Sequence, residues 1–174
     1  MARLAQIAGA DVIAERIGQG GRVAGATRPE PASEPCAADD YPGDYVGLPE
    51  LSYNPRPGKT AEGGEVVWAW VPYEEDSTQG KDRPVLIIGY DGAWLLGLPL
   101  SSVDHEADAY QEAREGRYWV ELGSGEWDSL GRSSHVRVDR IVRLDPTTMR
   151  RIGGTVTRDV FADVAIGLRR HWAD

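Results

Sequence analysis

Arg83 stands at the head of the apolar run Val85-Leu86-Ile87-Ile88, and Ser101-Ser102 close the run Trp94 to Leu100. Asp91-Gly92, between the two runs, is a two-residue hairpin signal. The start of one strand and the end of the next are neighbours in an antiparallel hairpin. A guanidinium and a hydroxyl would then converge there, beside the polar loop that follows Tyr73. A guanidinium is a planar fork of donors and suits the oxygens of a phosphate. The structural alternative for Arg83 is an ion pair with Asp82 or Glu74 at the edge of the sheet. For Ser101 it is a strand-end hydroxyl that caps a turn.

Other residues invite chemistry with weaker signals. His105 follows Ser102 closely, between Asp104 and Glu106. Imidazole is the usual acid or base near neutral pH, and an exposed histidine paired with a carboxylate is the plain alternative. His135 begins a strand and reads as structural. Trp127 lies in the turn-rich stretch Gly123–Asp128, where an exposed ring would stack on a base; the alternative is a loop anchor folded onto the domain. Three histidines and a single cysteine, Cys36, offer neither a disulfide nor a spaced metal-ligand set.

These residues need a scaffold, and the chain spells a mainly β one. Glu65–Val71 is β-branched and aromatic and predicts a strand. Strands follow at 85–88, 94–100 and 118–122, with His135–Val138 and Arg140–Leu144 as one bent strand or two short ones. The charged stretch 104–116 is read as a loop. Pro146 at a helix start suits a short helix to Ile152. Thr157 is a good N-cap, and Val160, Phe161, Val164, Ala165, Leu168 and Trp172 make one helical face.

The order Gly64-Glu65-Val66-Val67-Trp68, polar loop, Gly80-Lys81-Asp82-Arg83-Pro84-Val85-Leu86, turn, then Leu98-Pro99-Leu100-Ser101-Ser102 resembles the MazF/PemK family of toxin ribonucleases. The stretch Val136 to Pro146 is similar to that family's late strand. The resemblance spans Gly64 to Trp172. It implies an α+β, SH3-like barrel with a C-terminal helix, a homodimer, a cognate antitoxin, and a cytoplasmic, mRNA-interferase-like activity on single-stranded RNA without a metal or other cofactor. It implies that Arg83 and Ser101 are catalytic; Ser101 stands where the family usually has threonine, keeping the hydroxyl and losing a methyl group. Ser102 matches the following serine. Gln79, Gly80 and Lys81 fall in the loop that flanks the RNA groove in relatives, and Lys81 suits a phosphate contact. With His105 and Trp127 they complete the substrate-binding candidates. Two other readings stay open: an inactive barrel that binds nucleic acid or protein, and a gyrase-poisoning toxin of related fold.

The 174 residues support one domain with an appendage, divided as an N-terminal extension over 1–62 and a barrel domain over 63–174. A net charge of -9 argues against general coating of nucleic acid and leaves room for a local basic pocket. No run is long enough to span a membrane, and no secretory segment is present. Residues 1–17 carry a ragged helical pattern, and the stretch from Gly25 is a proline-rich linker. Tyr41, Tyr45, Leu48, Leu51 and Tyr53 are too apolar for a free tail. They predict a strap over the barrel, with a gate over the groove or a partner segment as the functional alternative.

Overall fold

Alternation divides the central strands between two apolar layers. In β1 (Glu65–Pro72) and β2 (Gly80–Asp91), Val66, Leu86 and Ile88 enter one core cluster, and Val67, Val71, Val85 and Ile87 enter another. Such a sheet is buried on both faces, so these strands read as nearly continuous apolar runs. The computed structural model describes residues 41–56, 58, 60–102 and 118–173, with 151–153 as backbone alone. The expected helix over 1–17, the linker from Gly25, the loop 104–116 and His105 lie outside the described residues.

Five further strands are β3 (Trp94–Ser101), β4 (Trp119–Gly123), β5 (Ser134–Arg137), β6 (Val142–Leu144) and β7 (Arg150–Thr155). Their order is β4-β5-β3-β2-β1-β7, with β6 also on β3, and every pairing is antiparallel. The sheet curls into a half-barrel. Helix α1 (Arg158–Trp172) closes one side through buried Phe161, Val164, Ala165 and Leu168. Thr157 caps it by accepting from Val160 N at 3.3 Å, satisfying one of the orphan donors of the first turn. The expected mainly β fold with a C-terminal helix is therefore what the chain forms.

Two local expectations are corrected. The hairpin loop is Gly92-Ala93, because Asp91 already pairs with Trp94. Gly92 has φ +60°, and a glycine in the first central position is the pattern of a type II′ turn. The short helix expected over Pro146–Ile152 is instead a turn followed by β7. Asp145 Oδ1 accepts from Thr147 N at 2.8 Å, and Thr148 N donates to Asp145 O at 3.1 Å. The fixed φ of Pro146 suits the second position of such a turn as well as a helix start. The competing side-chain bond and the pull of pairing with β1 decide for the turn.

Residues 41–53 are strapped to the sheet. Tyr45 bridges Ile141, and Leu51 bridges Gly89. A bulge near Ile88 takes that residue out of the β2–β3 ladder. Its carbonyl is satisfied by Ser52 N at 2.9 Å. Gly89 is required there, since a Cβ would meet Glu50 O at 2.4 Å. Tyr53 packs on Phe161 with centroids 5.1 Å apart, and its hydroxyl donates to Val156 O at 2.9 Å. Tyr45, Leu51 and Tyr53 thus cover core, while Leu48, expected to do the same, is exposed.

Candidate active site

Arg83 lies on β2 opposite Ala69 of β1. The last β2–β3 pair is Val85 with Pro99, after which Leu100 and Ser101 pair with Val136 and His135 of β5. Arg83 therefore sits just past the point where β2 and β3 part. A cavity of about 240 Å³ opens there, lined by Arg83, Arg137, Arg140, Tyr73, Glu74 and Glu75, with Pro72 and Pro99.

The three guanidiniums differ in their ties. Arg137 is forked between two carboxylates, donating to Glu74 at 2.7 and 3.2 Å and pairing with Asp139 at 2.5 Å. Burial would lower its proton affinity, but the bonds to Asp139 and Glu74 outweigh this and raise it. Arg140 donates from Nε to Asp44 at 2.7 Å and from Nη2 to Pro72 O at 2.6 Å. Arg83 has no hydrogen-bond or ion-pair partner for its guanidinium among the described residues. Asp82 pairs with Arg150 and Glu74 with Arg137, so neither forms the edge ion pair that was the alternative role for Arg83. Burial, then the like charges of Arg140 and Arg137, push the Arg83 guanidinium below its usual range. It stays charged, since arginine is not deprotonated in proteins. A half-buried cation crowded by two others is stabilised by an anion, and the fork selects a flat or tetrahedral oxyanion such as phosphate.

Ser101 and Ser102 line a different cavity, of about 170 Å³, with Trp68, Pro84, Trp127 and Arg132. Arg83 and Pro99 face the first cavity while their neighbours Pro84 and Leu100 face the second. Alternation along a strand puts such neighbours on opposite faces, yet Ser101 lines the second cavity together with Leu100, past the point where β3 leaves β2. The structure does not bring Ser101 into the arginine cavity. The second cavity has a firm wall: Asp128 accepts from Leu130 N at 2.9 Å and pairs with Arg132 at 2.9 Å. These bonds hold the Asp128 carboxyl below its usual range, the Leu130 N–H most of all.

Trp127 requires correction as an exposed stacking ring. It is 5% exposed, and its Nε1 donates to Ser134 Oγ at 3.0 Å. It is the loop anchor, with one edge in the cavity wall. Gln79 is exposed and donates to Asp76 at 3.0 Å, bracing the loop with Thr78. Gly80 opens β2, and Lys81 is exposed beside it. His135 is buried, 8% exposed. Arg137, Arg140 and Tyr73 escaped the sequence reading. The signal for the two arginines was the basic spacing within Val136–Leu144, where Arg137 takes the polar position between buried Val136 and Val138.

The fold is thus a curled antiparallel half-barrel with one closing helix, carrying an arginine-lined cavity where two strands part. The chain belongs to the family of PemK-like, MazF-like toxins of type II toxin-antitoxin systems, whose model matches residues 62–172. It is similar to MazF (Form-I) from Deinococcus radiodurans, with TM-score 0.47 and 21% identity over 66% of this chain and 98% of that one. MazE-MazF (Form-II) from the same organism gives 0.43 and 21% over 64% and 94%. No curated protein matches the chain.

Proposed function

We propose that the protein is the toxin of a toxin-antitoxin pair, a homodimeric cytoplasmic endoribonuclease that cuts single-stranded RNA. In the proposed reaction the 2′-hydroxyl attacks the adjacent phosphorus and gives its proton to water, and water returns one to the leaving 5′-oxygen. The P–O5′ bond breaks, leaving a 2′,3′-cyclic phosphate and a protonated 5′-hydroxyl. No covalent protein nucleophile and no metal are needed for this step. The protein's part is to hold the chain and stabilise charge on the phosphorane, which a preset guanidinium does well. The observation that carries the reading is the guanidinium of Arg83, without a hydrogen-bond or ion-pair partner among the described residues, in a cavity with Arg137 and Arg140. Ser101 and Ser102 would grip RNA that crosses the parting of β2 and β3 into the second cavity. Lys81 would meet a flanking phosphate.

Family membership supports the activity and the antitoxin. A second reading, a barrel that binds RNA or protein without cutting, is favoured by the placement of Arg83 and Ser101 in separate cavities. Purified protein incubated with mixed-sequence RNA in EDTA decides between them. Products ending in 2′,3′-cyclic phosphate are expected, and DNA of the same sequence stays intact. Binding without cleavage would support the second reading. Sedimentation should give a dimer, and a strict monomer at high concentration would remove that part of the proposal.

A further inference from the structure

Residues 41–45 lie outside the family-matched stretch 62–172, yet Asp44 is tied to Arg140, which lines the arginine cavity. Asp44 pairs with Arg140 Nε at 2.7 Å, and the Arg140 side chain is 9% exposed. Asp44 is itself held: Tyr41 donates its hydroxyl to the carboxylate. Burial, then the bond to Asp44, raises the phenol of Tyr41 above its ordinary range, so it remains a donor. The backbone is fixed beside it, with Tyr45 N donating to Ile141 O at 2.8 Å and Arg143 Nη1 to Gly43 O at 2.7 Å. The Arg143 guanidinium also stands 5.3 Å from the centre of the Tyr45 ring.

We propose that Tyr41–Tyr45 is a positioning element for the anion site, in which Asp44 holds Arg140 beside Arg83 so that the two guanidiniums grip one phosphate group. Asp44 takes the Nε–Nη2 side of Arg140 and Pro72 O takes Nη2 again. Nη1 keeps no partner among the described residues and is left for a ligand. This division separates positioning from masking, since a masking carboxylate would compete for the donors the phosphate needs. A buried guanidinium loses most of its rotamer freedom when clamped in this way, and that loss is met on folding rather than on binding. The segment therefore supplies, from outside the family-matched region, the carboxylate that holds one of the cavity's arginines. The inference rests on the ribonuclease reading only for the identity of the phosphate.

Its test is binding rather than turnover. The probes are a 2′-O-methyl oligoribonucleotide, which cannot be cleaved, and inorganic pyrophosphate. Asp44→Ala in the full chain should weaken both about tenfold, as the loss of one charge-assisted contact implies. The slope of log K against log salt for the oligonucleotide should shrink by about 0.7, the share of one phosphate contact on a single strand. Asp44→Glu should recover part of the loss. If Asp44→Ala fails to fold, Asp44→Asn keeps the shape and one acceptor; it should still weaken binding, by about threefold, with a smaller salt slope. Binding in either variant equal to or tighter than the parent overturns the proposal, and so does a parent that binds neither probe. A parent that binds both but leaves RNA uncut counts against the ribonuclease reading alone.

Discussion

At the scale of single residues the cavity separates two kinds of arginine. Arg83 contributes no ion pair among the described residues, so Arg83→Ala should leave the melting temperature nearly unchanged. In the proposed reaction its loss should lower the cleavage rate about 10²- to 10³-fold, the usual cost of removing one transition-state donor. Arg83→Lys should recover little, because a point charge cannot replace the fork. Arg137 should behave in the opposite way. Arg137→Ala leaves Asp139, whose side chain is 8% exposed, as an uncompensated carboxylate and should cost about 3–5 kcal/mol of stability. Denaturant melts set against RNA cleavage check the pair; a strong loss of stability in Arg83→Ala would mean that its role is structural. Arg83 was legible because it heads an apolar run before a proline. Arg137 and Arg140 were not, because their meaning depends on carboxylates far along the chain, Glu74 and Asp44. Ser101 was expected beside Arg83 from hairpin geometry alone. That geometry fails where β3 exchanges β2 for β5, a long-range pairing that no local pattern announces.

At the scale of elements, local chemistry was legible where it faced no competitor. Thr157 caps α1 as read, and the helical face of Phe161, Val164, Ala165 and Leu168 is buried as its spacing required. The short helix at Pro146 failed because its sequence fits a turn equally well and β1 offered ladder bonds to β7. The strap at 41–53 has its own test. Tyr53→Phe removes one hydroxyl bond to Val156 O and keeps the ring on Phe161, so it should cost about 1 kcal/mol. Gly89→Ala puts a methyl 2.4 Å from Glu50 O and must push the strap off the bulge or distort β2. It should cost more than Tyr53→Phe, within the roughly 1–3 kcal/mol typical of overpacking. Chemical denaturation of both variants checks the order. If both were silent, the strap would be an ornament on a barrel that stands without it.

At the scale of the whole molecule the proposed reaction requires a polyanion to approach a protein of net charge -9. The cavity is local: Arg83, Arg137 and Arg140 act over contact distances, while the net charge acts over the Debye length. That length is about 30 Å at 0.01 M salt and about 10 Å at 0.1 M. At the lower salt, approaching RNA feels the repulsion of the whole protein before any guanidinium can reach a phosphate. Raising the salt screens the long-range repulsion first and leaves contact pairs largely intact. Raising it further lets counterions compete at the phosphates, and binding falls by about 0.7 of a log unit per contact for each decade of salt. The kcat/KM for RNA cleavage should therefore rise with salt, peak near about 0.1 M, where the screening length has shrunk to the scale of the site, and then fall. A ribonuclease with a basic surface would fall from the start, because attraction and contact weaken together. Initial rates at subsaturating RNA, from low to high sodium chloride, measure the curve. A steady fall from the lowest salt would mean that the field of the three arginines reaches past the acidic surface, and that the net charge does not govern the approach of RNA.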